Sequence, residues 1–234
     1  MRDAVIAAIT KASSRKSLYH FTRARNLPTI AYFDALMSSS KINPHAAGER
    51  RQEVHEVIYS GCAITINAHL RIPDQMMDAS CTQEQFRTHL DRHVFFWPTW
   101  RDCQTMMESY ARREPDERFA VLKFDAYPLL AACYSAVKLS KYDSGSSPRY
   151  PKHCNYKKSP RMFLPINIFN SQSKSNSPVP TKPSEIREIL IEDQVMNVSR
   201  YLQAIYVEHD DDVPVRWREL AKHQADLRAE AIKQ

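Results

Sequence analysis

Only three glycines occur in 234 residues, and none falls in a G-x-G-x-x-G or Walker pattern. Rossmann and P-loop folds need glycine where the backbone must approach a phosphate, so the sequence argues against both. A dinucleotide, if one binds, is bound by another architecture. Strands and short helices follow one another in mixed order without an internal repeat. That order predicts an α+β fold rather than a regular βαβ array.

The chain is long enough for a substantial core, and it is read as one domain over residues 1–234. Hydrophobic residues make up 43% and charged residues 26%, both ordinary globular values. No run of eighteen apolar residues exists, so no membrane span is expected. The apolar stretch within Met1–Thr10 is too short and interrupted for a signal peptide and reads as a short helix. The five cysteines are scattered without a C-x-x-C pair, so neither zinc nor a disulfide framework is suggested, and free thiols in a cytoplasmic setting are expected. No metal site is expected either, since His45, His55, His69 and Cys62 are not at ligand spacing.

The most informative stretch runs from Ser17 to Ile30. Leu18, Tyr19, His20 and Phe21 alternate as in a strand. Thr22 can then cap a helix that Leu27, Ile30 and Phe33 continue. A histidine just before a helix start is held rigidly and suits gripping a hydroxyl or an amide. A buried histidine that merely packs at a strand end is the other reading.

Further along, residues 2–15 are predicted helical and Ser38–Pro44 a loop. Thr82 and Thr99 are placed to cap helices. The segments Ala63–Asn67, His93–Trp97, Arg118–Phe124, Glu188–Ile191 and Leu202–Val207 are predicted strands. Residues 140–183 form a basic insertion, with Asn170–Pro183 expected to be disordered. Residues 213–232 are predicted to be a C-terminal helix, with Val215, Leu220 and Leu227 on one face.

Net charge is +6 and unevenly placed. Between Lys141 and Lys182 the basic residues face Asp143 as the sole acid. Arg149, Tyr150, Lys152, Tyr156, Lys157 and Lys158 interleave cations with aromatics, as a phosphate backbone with stackable bases would want. A solvated loop is the competing reading of that stretch.

His20-Phe-Thr followed by Asn26-Leu-Pro-x-Ile30 resembles the opening of ADP-ribosyltransferases, especially the DarT family that modifies nucleic-acid bases. A second landmark, Glu188 directly before Ile-Leu-Ile, followed by Gln194-Val195 and Leu202–Val207, is similar to that family's late glutamate strand. The two landmarks cover a small part of the chain, at its two ends.

The resemblance implies an ADP-ribosyltransferase-like fold, with a central mixed or antiparallel sheet split in two halves and flanked by helices. It also implies NAD as the donor substrate. His20 would hold a ribose, the Phe21 backbone the nicotinamide amide, and Thr22 a neighbouring hydroxyl, with Asn26 supporting the loop. Family members carry an arginine between the landmarks; Arg50 and Arg51 fall in a comparable region, where fixed charge suits a pyrophosphate, and Arg101 is a second candidate.

Breaking the nicotinamide–ribose bond passes through an oxocarbenium-like state, as glycoside cleavage does. A carboxylate is then wanted to hold a ribose hydroxyl and take the nucleophile's proton. Glu188 fills that role by position, with Glu185 and Glu192 as rivals. The expected function is ADP-ribosyl transfer to single-stranded DNA or RNA, in the manner of a bacterial toxin with an antitoxin partner or an anti-phage factor. Transfer to protein, a non-catalytic nucleic-acid-binding domain on the same scaffold, and RNA 2′-phosphotransfer are the alternatives.

Overall fold

The computed structural model describes residues 2–148, 150, 153–171 and 177–232. Its elements, in order, are α1 Arg2–Ile9, β1 Ser17–Arg23, α2 Leu27–Phe33, β2 Ala35–Met37, α3 Ser39–Ile42, β3 His55–Tyr59 and β4 Cys62–Ile66. They continue with α4 Gln83–Asp91, β5 His93–Phe96, α5 Trp100–Ala111, β6 Phe119–Asp125, α6 Ala126–Ala132, β7 Val137–Ser140 and β8 Phe163–Pro165. The chain closes with β9 Glu188–Glu192, β10 Gln194–Met196, β11 Leu202–Val207, β12 Ala221–His223 and α7 Gln224–Ile232. Among the described residues, no helix is long and apolar enough to cross a membrane.

Two four-stranded sheets carry the fold, in strand orders β1-β6-β11-β12 and β5-β9-β7-β8. All their pairings are antiparallel except β11 with β12. The sheets meet where Tyr19 and Trp97 exchange backbone hydrogen bonds of 2.9 and 2.8 Å. Beyond that bridge β1 and β5 part. The expected α+β architecture, with its sheet split in two halves, is what the chain forms.

Alternation explains why β1 and β6 hold this position. Leu18, Leu122, Phe124 and Ile205 face the main core, where Val5, Ile6 and Ile9 of α1 and Leu129 and Leu130 of α6 cover them. Tyr19, Phe21, Val121 and Tyr206 face the opposite way, under Trp100, Cys103 and Met107 of α5. Residues two apart share a face of a strand, so one register serves both layers. Each such side chain contributes about 1.5–3 kcal/mol when removed from water. On the second sheet, Leu190 packs beneath Phe86 and Leu90 of α4.

Local chemistry sets the helix starts. Thr82 and Gln85 form a reciprocal capping box on α4, and the Thr99 side chain accepts from the Asp102 amide at the start of α5. Four expectations change. Thr22 lies inside β1 and caps nothing; a 3-10 turn, Ala24–Asn26, intervenes before α2, which Pro28 pre-sets at its first turn. The first helix ends at Ile9, with a separate 3-10 turn at Ser13–Arg15. Ser38 caps the short α3 inside the segment expected to be a loop.

The C-terminal helix is the fourth. It is confined to Gln224–Ile232, because Ala221–His223 pair instead with β11 and satisfy their backbone at the sheet edge. Val215 is 77% exposed, so it shares no buried face with Leu227. Of the run 170–183, residues 172–176 lie outside the described residues, whereas Val179 packs into the main core.

Candidate active site at the split between the sheets

The parting of β1 from β5 leaves a cavity of about 220 Å³ lined by His20, Phe21, Thr22, Asn26, Arg51 and Asp91, among others. A second cavity of about 170 Å³ shares His20, Phe21, His93, Phe95, Tyr110 and Gly145 with it and reaches Glu188. The fold thus draws both ends of the chain to one place.

His20 is oriented from across the split. Its Nδ1 lies 2.8 Å from the Phe95 carbonyl oxygen. A carbonyl can only accept, so the proton sits on Nδ1 and Nε2 is left as an acceptor. Burial pushes the imidazole down to about 4, against the opposing effect of the Phe95 bond. His20 is therefore neutral at physiological pH. Backbone geometry extends this to Phe21: Tyr19 turns its amide and carbonyl toward Trp97, and the two-residue alternation turns those of Phe21 the same way, into the split.

Asn26 fixes the base of the cavity. Its side-chain oxygen accepts from the Thr65 amide at 2.8 Å, and its amide donates to the Thr65 carbonyl at 2.9 Å. This two-way bond ties the turn before α2 to β4, and it is why Asn26 is not spent on capping the helix.

Arg51 is buried at 7% exposure. Its guanidinium meets Asp91 at 2.6 and 3.2 Å, and its Nε donates to the Asn67 carbonyl at 3.1 Å. His69 accepts from the Arg51 amide through Nδ1 at 3.1 Å, so its proton is on Nε2, which donates to Asp91 at 3.0 Å. Burial pushes the Asp91 carboxyl up, but the bonds from His69 and Arg51 outweigh it and hold it well below the usual carboxylate range. The loop before Arg51 is pressed onto α4 at Gly48, whose φ is +84° and whose amide donates to Asp91 at 3.0 Å. A Cβ there would meet the Thr88 Oγ1 at 2.1 Å, so only glycine fits.

Glu188 opens β9 at 1% exposure. Its Oε2 accepts from the Ser144 amide at 3.0 Å and from the Ser144 hydroxyl at 2.5 Å, while Oε1 is buried without a partner among the described residues. Burial first, and then the nearby Asp143, push this carboxyl up to about 8. The rival glutamates are otherwise engaged. Glu185 accepts from the Thr181 amide and hydroxyl, and Glu192 pairs with Arg92 and Lys138. Neither lines the cavities.

The basic insertion is arranged differently from the sequence expectation. Lys158 is fully buried, and its ammonium donates to the carbonyls of Asp143 and Ser144 at 2.7 and 2.8 Å. Its chemistry is that of a pin for the loop that holds Glu188, not of a phosphate contact. Tyr156 stacks on Tyr142 with centroids 3.7 Å apart, and Lys157 donates to the Gln75 carbonyl at 2.5 Å. Tyr150 is 64% exposed. Arg149 and Lys152 lie outside the described residues. Arg50 is exposed and lines an adjoining cavity with His69 rather than the one with His20, and Arg101 is exposed on α5 and lines neither the His20 nor the Glu188 cavity.

Sequence reasoning missed Asp91, His69, His93 and Ser144. Asp91 sits at the end of a helix that reads as amphipathic, and only folding brings it to Arg51, forty positions away. Among the described residues, no group of three or more His, Cys, Asp or Glu side chains is placed to hold a metal ion.

The family model that covers residues 16–202 is that of a family of unknown function, DUF7002. The chain belongs to this family. No curated protein matches its sequence. Among solved structures, this DUF7002 chain is similar to the DarT of Thermus sp. 2.9 in complex with carba-NAD+, at 10% identity and a TM-score of 0.42, over 95% of this chain and 93% of that one. The same DarT in complex with ADP-ribosylated ssDNA matches at 11% identity and a TM-score of 0.40, over 94% and 90% of the two chains. With so few shared residues, the chemistry has to be argued from the site itself.

Proposed function

We propose that this DUF7002 chain is an NAD-dependent ADP-ribosyltransferase whose acceptor is a nucleic acid. The observation that carries this reading is the convergence of His20 and Glu188, 168 positions apart in sequence, on adjoining cavities that share a wall. Their order and neighbours are those of the two sequence landmarks. The cavity is chemically suited to a dinucleotide: an unprotonated Nε2 on His20 for a ribose hydroxyl, the Phe21 backbone turned into the split for a carboxamide, and the Thr22 hydroxyl beside them. Apolar walls from Ile30, Leu36 and Ile64 suit the flat faces of a base.

When bound, NAD supplies an electrophilic ribose carbon with nicotinamide as the leaving group. The carbon–nitrogen bond to nicotinamide breaks with its electron pair, and a new bond forms to an acceptor nitrogen or oxygen. The acceptor's proton then needs a base. Glu188 provides it once ionised, and Ser144 keeps its Oε2 in place. Arg51, held by Asp91 and His69, gives the cavity a fixed guanidinium edge for polar donor groups. A chain with this activity in a bacterial cell would call for an antitoxin partner.

One observation favours a second reading. Glu188 is almost wholly covered, and its Oε2 already has two donors. A domain that binds nucleic acid without turning over NAD would keep the same arrangement. The test uses NAD labelled in the ADP-ribose, with pools of single-stranded DNA, RNA and cell protein, on wild type and Glu188→Gln. Label on nucleic acid, lost in the variant, is expected. Label on protein alone would move the acceptor, and no NAD consumption with any pool would leave the binding-only reading.

A further inference from the structure

Three arginines that do not line the His20 cavity, Arg50 of the expected pyrophosphate set among them, converge on one cavity. It measures about 210 Å³, is lined by Arg50, Arg71 and Arg87, and shares His69, Leu70, Leu90 and Gly145 with the cavity of His20 and Arg51. Several arginines elsewhere in the fold are paired with acids: Arg23 with Glu114 and Glu117, Arg51 with Asp91, Arg92 with Glu192, and Arg187 with Asp102. Arg50, Arg71 and Arg87 form no ion pair among the described residues.

The lining holds one acid, Asp74, whose Oδ1 accepts from Gln83 at 3.1 Å. Arg87 is half-buried and anchored through Nε, which donates to the Gly48 carbonyl at 2.8 Å. That bond fixes the plane of the guanidinium and leaves both Nη groups for a ligand. Converging like charges repel, and an anion relieves the repulsion. Guanidinium groups favour phosphate through paired N–H bonds.

We propose that this cavity binds a backbone phosphate of the acceptor strand and so sets the strand beside Glu188 and His20. The inference rests on the nucleic-acid reading of the neighbouring site and names where the strand is held. Two features assign the phosphate to the acceptor rather than to NAD. His20, Thr22 and Asn26, expected at the donor, do not line this cavity, which lies beyond the wall of His69, Leu70 and Gly145; Arg50, also expected at the donor, faces this cavity and not that of His20. Arg50 and Arg71 are also exposed, so a polymer crossing the surface reaches them without entering the split. The place of strand contact thus moves from the 140–183 insertion, where Lys158 is buried, to the mouth of the site.

The test is fluorescence anisotropy of a short single-stranded DNA oligonucleotide without NAD, across a salt series, on wild type and Arg50→Ala/Arg71→Ala. The affinity of the variant is expected to fall about 10–100-fold at low salt, with the slope of log K against log salt reduced by about 1.4, two single-strand phosphate contacts' worth. Neither side chain has an ion-pair partner among the described residues to lose, so the melting temperature should match wild type, and Arg50→Lys/Arg71→Lys should restore most of the slope. Calorimetric NAD affinity should be unchanged. Equal strand binding by wild type and variant, or a loss confined to NAD, would overturn the assignment. Because no turnover is read, an inert enzyme that still shows the arginine dependence would remove the transferase reading and leave this site standing.

Discussion

The amide and hydroxyl of Ser144 both donate to one oxygen of Glu188, at 3.0 and 2.5 Å, although the two residues lie 44 positions apart. The nominated base is therefore held by a loop, and that loop is held by Lys158 from below. Chemistry at Glu188 and order in the segment Tyr142–Ser147 are one mechanical unit.

The first prediction concerns pH. Glu188 is raised from 4.5 to about 8 by burial and by Asp143, so at pH 7 it is mostly protonated and cannot accept a proton. Transferase activity should rise with pH through about 8, and Glu188→Gln should lose about 10²–10⁴-fold in kcat. Between pH 4.5 and 8 the folded state binds a proton that the unfolded state has released, so stability falls as pH rises through that window. Urea unfolding at pH 5.5 and 8.5 should show a smaller drop for Glu188→Gln than for wild type.

Ser144→Ala removes a hydrogen bond that favours the ionised carboxylate. The midpoint of the pH–activity profile should move above that of wild type, and kcat at pH 7 should fall while KM for NAD changes little. An unmoved midpoint would make the Ser144 contact purely structural.

Asp91→Asn strands the buried Arg51 guanidinium. The loss of stability should be about 3–5 kcal/mol, as for other buried pairs broken on one side, read from urea denaturation at pH 7. Folded Asp91 titrates below its unfolded value because of His69 and Arg51. Its contribution is therefore complete above the unfolded carboxylate value and is lost as the pH falls through the folded one. The wild type, but not Asp91→Asn, should lose stability to acid through this group.

His20→Ala should weaken NAD binding about 5–30-fold, equivalent to about 1–2 kcal/mol for one hydrogen-bonding group. Since burial holds the imidazole near 4, calorimetric NAD affinity of the wild type should show no histidine-dependent step between pH 5.5 and 7.5. A step near 6.5 that disappears in His20→Ala would show a solvated ring.

Lys158 and Lys157 are adjacent in sequence and opposite in setting. Lys158→Met leaves the Asp143 and Ser144 carbonyls without their donor and should cost about 1–3 kcal/mol for each group left unsatisfied. Lys157→Ala, on the surface, should stay within about 0.5 kcal/mol. Thermal denaturation of the two variants side by side measures the contrast.

The local rules were legible from sequence where they depend on neighbours. The caps at Thr82 and Thr99 and the alternation of Leu18 to Phe21 are settled within a few residues, and they form as read. Thr22 failed as a cap because the strand ladder with Ala120 continues through it to Arg23. The 213–232 helix failed because an open edge of β11 offered Ala221–His223 better backbone partners than a longer helix.

By itself the sequence determined the α+β class, the strand carrying His20 and the strand opened by Glu188. These follow from hydrophobic periodicity and residue order, which short-range sterics and solvent exclusion translate directly into structure. What only the tertiary structure decided was pairing across long stretches of chain: Asp91 on Arg51, Ser144 on Glu188, Lys158 beneath them, and three arginines around one cavity without an ion pair among the described residues. Charge counts give the sum of such groups, but whether a cation is neutralised, buried or left for a ligand depends on which acid the fold brings within a few ångströms, where the Coulomb energy becomes large. Net charge marked the 140–183 stretch as basic, but it could not show that Lys158 within it is buried or that Arg50, Arg71 and Arg87 line one cavity.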